Sequence, residues 1–148
     1  MKIIYLRNEK YQWVMFEYEN ISDIQDELDK RNISIGYDAS IGYDASIGDD
    51  ASIGNRASIG DDAYIGDDAS IGDDVKLITG FYINGSRNTV TYVGDGKISI
   101  GCHTRKISWF KKNYKLLGEK EGYTEVEQKE YYGYIKLAEQ FVKNLENN

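Results

Sequence analysis

From residue 33 onward the chain places a large aliphatic side chain at every sixth position, beginning with Ile35, Ile41 and Ile47 and running through Leu77 to Ile83. Two positions before each stands a second apolar residue: Ile33, then alanine from Ala39 to Ala69, then Val75 and Phe81. A period of six is neither helical nor a plain two-residue alternation, and it predicts a parallel β-solenoid. In a short strand residues i and i+2 face the same way, so each hexapeptide supplies one small and one large inward side chain and then a polar turn.

The periodicity changes on either side. The N-terminal run KIIYLRNEKYQWVMFEYE predicts two strands around Asn8-Glu9-Lys10, and Ser22-Asp23-Ile24-Gln25 has capping-box spacing for a short helix to about Lys30. After the repeat, Thr89 to Val93 and Lys97 to Ile100 flank Gly94-Asp95-Gly96 as a hairpin. Ile107, Phe110, Tyr114 and Leu117 keep helical spacing up to Gly118, and Thr124-Glu125-Val126-Glu127 opens a longer helix with Tyr131, Ile135, Ala138 and Phe141 on one side. A short solenoid exposes both ends of its apolar interior and needs covers. The chain is thus divided into an N-terminal cap at 1–32, a repeat at 33–86 and a C-terminal cap at 87–148.

The hexapeptides resemble those of the hexapeptide-repeat proteins. That resemblance implies a left-handed triangular prism with eighteen residues per coil, stacked at about 4.8 Å, and coils at 33–50, 51–68 and 69–86. The expected fold is mainly β: a left-handed parallel β-helix of about three coils, an N-terminal hairpin and helix cap, and a C-terminal hairpin plus two α-helices. Stacking at eighteen residues places Arg56 between Asp38 and Asp74, Asp49 on Asp67 and Asp50 on Asp68, a ladder of oxygens that is either a solvated turn or a seat for a hard cation. It also stacks the outward Tyr64 on Tyr82 beneath Ser46. The family commonly assembles as parallel trimers, so Tyr64 and Tyr82 are expected at or beside a homotrimer boundary.

The 148 residues suit one elongated domain. A net charge of −7 argues against non-specific nucleic-acid binding, yet it hides an asymmetry. Residues 33–74 hold ten Asp against Arg56 alone, whereas residues 97–115 hold Lys97, Arg105, Lys106, Lys111, Lys112 and Lys115 and no acid. The single Cys102 excludes an internal disulfide, no run is long and apolar enough for a membrane span, and the N-terminus lacks a signal-like segment. A bacterial cytoplasm is the expected compartment.

Three readings of the chemistry follow. Many prism proteins are acyltransferases with a histidine base, which here rests on His103, the only histidine, and would bring acetyl-CoA or another acyl-CoA; otherwise no cofactor and no metal is expected. Asn84 to Thr89 and Gly101 to Lys106 read as two polar turns, the second just ahead of a helix, with Trp109 off its apolar stripe. Together they propose an anion site from Ser86, Arg87, His103, Arg105, Lys106 and Trp109. The stretch from Asn84 to about Ile135 is similar to a tail of phage and prophage hexapeptide proteins, through Gly85, Ser86, Arg87, Gly101, Cys102, His103 and Trp109. That resemblance implies an accessory protein acting inside a bacterium. The leading expectation is non-enzymatic sequestration of a small anionic, nucleotide-like ligand of the anti-defence kind; the alternatives are acyl transfer and a module that grips a host protein.

Overall fold

The computed structural model describes residues 1–77 and 81–146, so residues 78–80 of the expected third coil lie outside the described residues. The elements run β1 (Lys2–Arg7), β2 (Trp13–Tyr18), α1 (Gln25–Lys30), then eight short strands: β3 (Ser34–Ile35), β4 (Ser40–Ile41), β5 (Ala45–Ile47), β6 (Ser52–Ile53), β7 (Ser58–Ile59), β8 (Tyr64–Ile65), β9 (Ser70–Ile71) and β10 (Lys76–Leu77). They form parallel ladders at eighteen-residue spacing: β3-β6-β9, β4-β7-β10 and β5-β8. The inward isoleucines and alanines from Ile41 to Ile71 are buried, and Ile47, Ile53 and Ile65 are almost inaccessible. Each such isoleucine contributes about 1.5–3 kcal/mol by leaving water.

The turns explain the Gly-Asp-Asp spelling. The side chains of Asn55, Asp61, Asp67 and Asp73 each accept the backbone N–H of the residue eighteen positions earlier, at 2.8–2.9 Å. The residue after each takes the left-handed conformation, with φ between 57° and 63° from Asp38 to Asp74, which Asp and Asn tolerate better than most side chains. The glycine before them admits the next turn. A Cβ on Gly54 would sit 2.5 Å from the backbone nitrogen of Asp73.

The N-terminal hairpin extends one face of the prism. β1 pairs antiparallel with β2 and parallel with β5, with Ile4 opposite Ala45 and Leu6 opposite Ile47. Asn8 holds its turn by accepting the N–H groups of Lys10 and Gln12. The expected helix start at Ser22 is corrected: Asp23 accepts the N–H groups of Glu19 and Asn20, so the segment begins as a 3₁₀ turn at Ile21–Ile24 and continues into α1. Ile24 and Leu28 are buried against the core.

The C-terminal hairpin is present as β12 (Thr89–Gly94) and β13 (Lys97–Ile100), and it forms the centre of a four-stranded antiparallel sheet between β11 (Tyr82–Asn84) and β14 (His103–Lys106). His103 to Lys106 is therefore a strand, not a turn. Gly101, at φ +58°, and Cys102 make the two-residue loop that folds it back on β13. One side of this sheet lies under the prism: a Cβ on Gly66 would collide with Thr91 Oγ1, and Ser99 Oγ accepts the N–H of Ser70. Its other side carries α2 (Ile107–Lys120) and α3 (Glu125–Glu146), with Tyr92 against Phe141. The expected stop at Gly118 is overturned, since α2 continues to Lys120. That glycine is buried where α2 crosses Gln128 of α3, whose Cγ would lie 2.8 Å from an added Cβ. The Thr124–Glu127 capping box is present, each residue bonding the other's N–H.

Candidate functional site

The six residues proposed for one anion site are held by different sets of partners. Ser86 and Arg87 lie in the β11–β12 turn and are bound to α3. Glu130 accepts both the N–H and the hydroxyl of Ser86, which, with Tyr134, holds the Glu130 carboxyl below its ordinary pKa. Arg87 donates to the Gly122 carbonyl, approaches Glu127 at 3.7 Å and stacks over Tyr123 at 4.6 Å. The hydroxyl of Tyr131 accepts the N–H groups of Arg87 and Asn88 and donates to the Asn88 carbonyl, so one side chain closes the turn.

His103, at the start of β14, reaches the same α2–α3 connection as Arg87, meeting Glu121 where Arg87 meets Gly122 and Tyr123. Its Nε2 lies 3.1 Å from Glu121 Oε1 at the end of α2. Cys102 beside it is exposed, in the loop.

Arg105, Lys106 and Trp109 do come together, with partners the sequence did not assign to the site: Lys97, Thr104, Ser108 and Lys112. These residues frame an open concavity at the junction of β13, β14 and the start of α2. Cross-strand register sets Lys97 directly opposite Lys106. Arg105 lies over the Trp109 ring at 5.3 Å, and Trp109 is braced edge-on by buried Phe110 at 5.4 Å. Among the described residues, none of Lys97, Arg105, Lys106 and Lys112 has an acidic partner within 4 Å, and the first turn of α2 has neither an acid nor a side-chain cap. Lys111, on the neighbouring face, is by contrast paired with Glu139 at 2.8 Å, which raises the lysine pKa and lowers that of Glu139. The lysine density was readable from residues 97–115. The opposition of Lys97 and Lys106 became visible only once β14 was paired.

Tyr64 and Tyr82 stack at 3.4 Å between centroids. Trp13 meets Tyr64 edge-on, and Arg7 lies over Trp13 at 4.2 Å while donating to the Tyr64 hydroxyl. The N-terminal hairpin therefore shares this face, and Tyr82 remains 40% exposed. In the repeat, burial and the neighbouring Asp67 raise the pKa of half-buried Asp49. Among the described residues there is no group of three or more His, Cys, Asp or Glu able to hold a metal ion, and no helix long and apolar enough to cross a membrane.

Residues 44–79 match a family model described as bacterial transferase hexapeptide (six repeats). They are hexapeptide repeats. Such repeats imply the left-handed β-helix, which gives the ladders described above their hand. The match ends before the four-stranded sheet and its two helices, where every residue of the basic concavity lies. No curated protein and no solved structure matches the chain.

Proposed function

We propose that the protein is a non-enzymatic binding module for a small anionic, nucleotide-like ligand, seated in the concavity of Lys97, Arg105, Lys106, Trp109 and Lys112. One observation carries this reading: Lys97 and Lys106 face each other across β13 and β14, with no acid in the first turn of α2 and no acidic partner within 4 Å among the described residues. Like charges directly opposite in a sheet are destabilising. An anion between them reverses the sign of that interaction, and phosphate oxygens suit the lysines and the Arg105 fork. Trp109, held by Phe110, offers a face for a base or sugar. The concavity has cations and hydroxyls but no carboxylate or imidazole to move a proton, which favours holding over turnover.

Proteins with hexapeptide repeats commonly form trimers, and a homotrimer is part of this proposal, with the Tyr64–Tyr82 stack beside the boundary. Native mass spectrometry of the purified protein reports the stoichiometry, and a monomer removes that part.

The binding itself is tested by calorimetry and thermal unfolding against linear and cyclic nucleotides and inorganic pyrophosphate. At least one is expected to raise the unfolding midpoint, with affinity falling steeply as salt rises and lost in Lys106→Glu. Lack of binding across the panel, or equal binding by Lys106→Glu, sinks the reading. Acyl transfer retains one favourable observation, the His103–Glu121 contact. It predicts thiol release from acetyl-CoA that disappears in His103→Ala, while nucleotide binding survives that change.

A further inference from the structure

A second concavity opens on the other side of α2, between α2, α3 and the Gly101-Cys102 loop, and the anion reading leaves it unused. It encloses about 80 Å³. Its walls are Phe110, Tyr114, Leu117, Tyr131 and Ile135, of which Phe110, Tyr131 and Ile135 are buried core residues. Interiors otherwise pack like organic crystals, so an opening of this size against aromatic rings is a receptor-shaped feature, an apolar pocket with a few polar groups at its rim.

The rim fixes the chemistry. A carboxylate can only accept, so in the neutral imidazole the Nε2 facing Glu121 carries the proton and Nδ1 is left as an acceptor. Glu121 keeps its second oxygen, and Gln128, whose Nε2 donates to the Tyr123 carbonyl, keeps its side-chain oxygen. His103 and Glu121 thus turn only acceptors to the mouth, while Gln128 keeps one N–H beside its oxygen. The volume is roughly half that of a ~150 Å³ cavity that admits benzene, so only the apolar edge of a single ring enters and its polar edge stays in the open mouth.

The geometry points to this cavity as a binding site for a small uncharged ring that carries an O–H or N–H donor, of the phenol or azole class. The ring lies against Phe110 and Tyr131, and the donor turns to His103 Nδ1 and Glu121. A plain hydrocarbon or acyl end fits the walls but leaves the rim acceptors, once stripped of water, without donors.

The test uses the full chain with phenol and toluene as probes, similar in shape and different in the donor. Backbone amide resonances of Gly101, Cys102 and Gly118 are followed by NMR during titration. Phenol is expected to shift them saturably, and toluene to bind roughly tenfold more weakly, as one lost hydrogen bond requires. Leu117→Trp, which fills the cavity, removes the phenol response if the variant retains its fold. Glu121→Ala, at a half-exposed surface position, weakens phenol but not toluene and serves where Leu117→Trp does not fold. Absence of saturation with phenol, equal affinity for the two probes, or an unchanged phenol response in Glu121→Ala overturns the assignment. Nucleotide binding at Lys106 is a separate readout, so either site can fail without the other.

Discussion

In the repeat, a turn oxygen has its partner eighteen residues away: Asn55 takes the N–H of Tyr37, Asp61 that of Tyr43, Asp73 that of Asn55. In the C-terminal sheet and helices, by contrast, Lys97 meets Lys106, and Arg105 meets an aromatic ring in place of a carboxylate. Repetition consumes polar groups in holding its own layers together, because each unit presents what the next one needs. Where the period ends, polar groups no longer answer one another by construction, and recognition becomes available to them. Charge follows the same division: the acidic segment is organised by backbone hydrogen bonds, while the basic one is left open to an outside anion.

The most damaging test of this contrast asks whether the two regions are one folding unit. Phe110→Ala empties the most fully buried aromatic site of the C-terminal module and is expected to cost about 3–5 kcal/mol; Ile65→Ala, in the prism, about 2–5 kcal/mol. Because Thr91 and Ser99 lie directly against the last rungs, both variants should lower a single shared unfolding transition in calorimetry. Two resolved transitions, each sensitive to one variant, would break the contrast into two independent domains.

Next in size is Tyr131→Phe. Its hydroxyl serves two N–H groups and one carbonyl of the Arg87–Asn88 turn, so losing it leaves part-buried backbone groups unpaired and costs about 1–3 kcal/mol by denaturant unfolding. The same variant sharpens the assignment of Arg87 and Ser86. If these residues only anchor the turn to α3, nucleotide binding in the concavity survives at temperatures where the variant is folded.

The parts that were legible in the sequence share one property, that neighbours in space stand at a fixed interval in the chain. The ladders, the Tyr64–Tyr82 stack and the Arg56–Asp74 contact all follow from the eighteen-residue rule. The docking of β1 on β5 does not, because the chain between them leaves the period through α1. β14 is not legible as a strand because His-Thr-Arg-Lys lacks apolar alternation, as an edge strand with a wet side can. Its signal was Gly101 at the head of a two-residue loop. For the site, composition revealed the positive charge but not the pairing of Lys97 with Lys106. Glu121, which orients His103, comes from the far end of α2 and had no sequence motif to mark it.

A smaller effect tests the acidic side of the contrast. The folded state binds the Asp49 proton more tightly than the unfolded chain, because burial and then Asp67 disfavour the carboxylate. Its ionisation therefore opposes folding. The opposition is absent below the ordinary value of 3.8, grows as pH rises, and is complete above the raised folded value. Asn55 fills the equivalent position one unit on, so the backbone accepts the amide. Asp49→Asn should stabilise the protein by about 0.5–1 kcal/mol near neutral pH, with the advantage vanishing near pH 3. An advantage independent of pH would mean that charge is not its source.

The smallest expected effect belongs to Arg56, the one base in the ladder. It pairs with Asp74 at 2.7 Å, both side chains being more than half exposed, and adopts the left-handed conformation that Asp adopts at the equivalent position of the other units. Asn suits that conformation better than Arg, so Arg56→Asn trades a solvent-screened ion pair for a relaxed backbone. Its unfolding midpoint should be unchanged. Arg56→Asp keeps the backbone preference of the neighbouring units and reverses the charge between Asp38 and Asp74. It should lower the midpoint slightly at low ionic strength and not at high salt. If Arg56→Asp is harmless at every salt concentration, carboxylates stacked along this corner repel too weakly to matter. The acidity of the repeat would then be set by turn geometry alone, with no electrostatic limit on how many units could carry Asp-Asp.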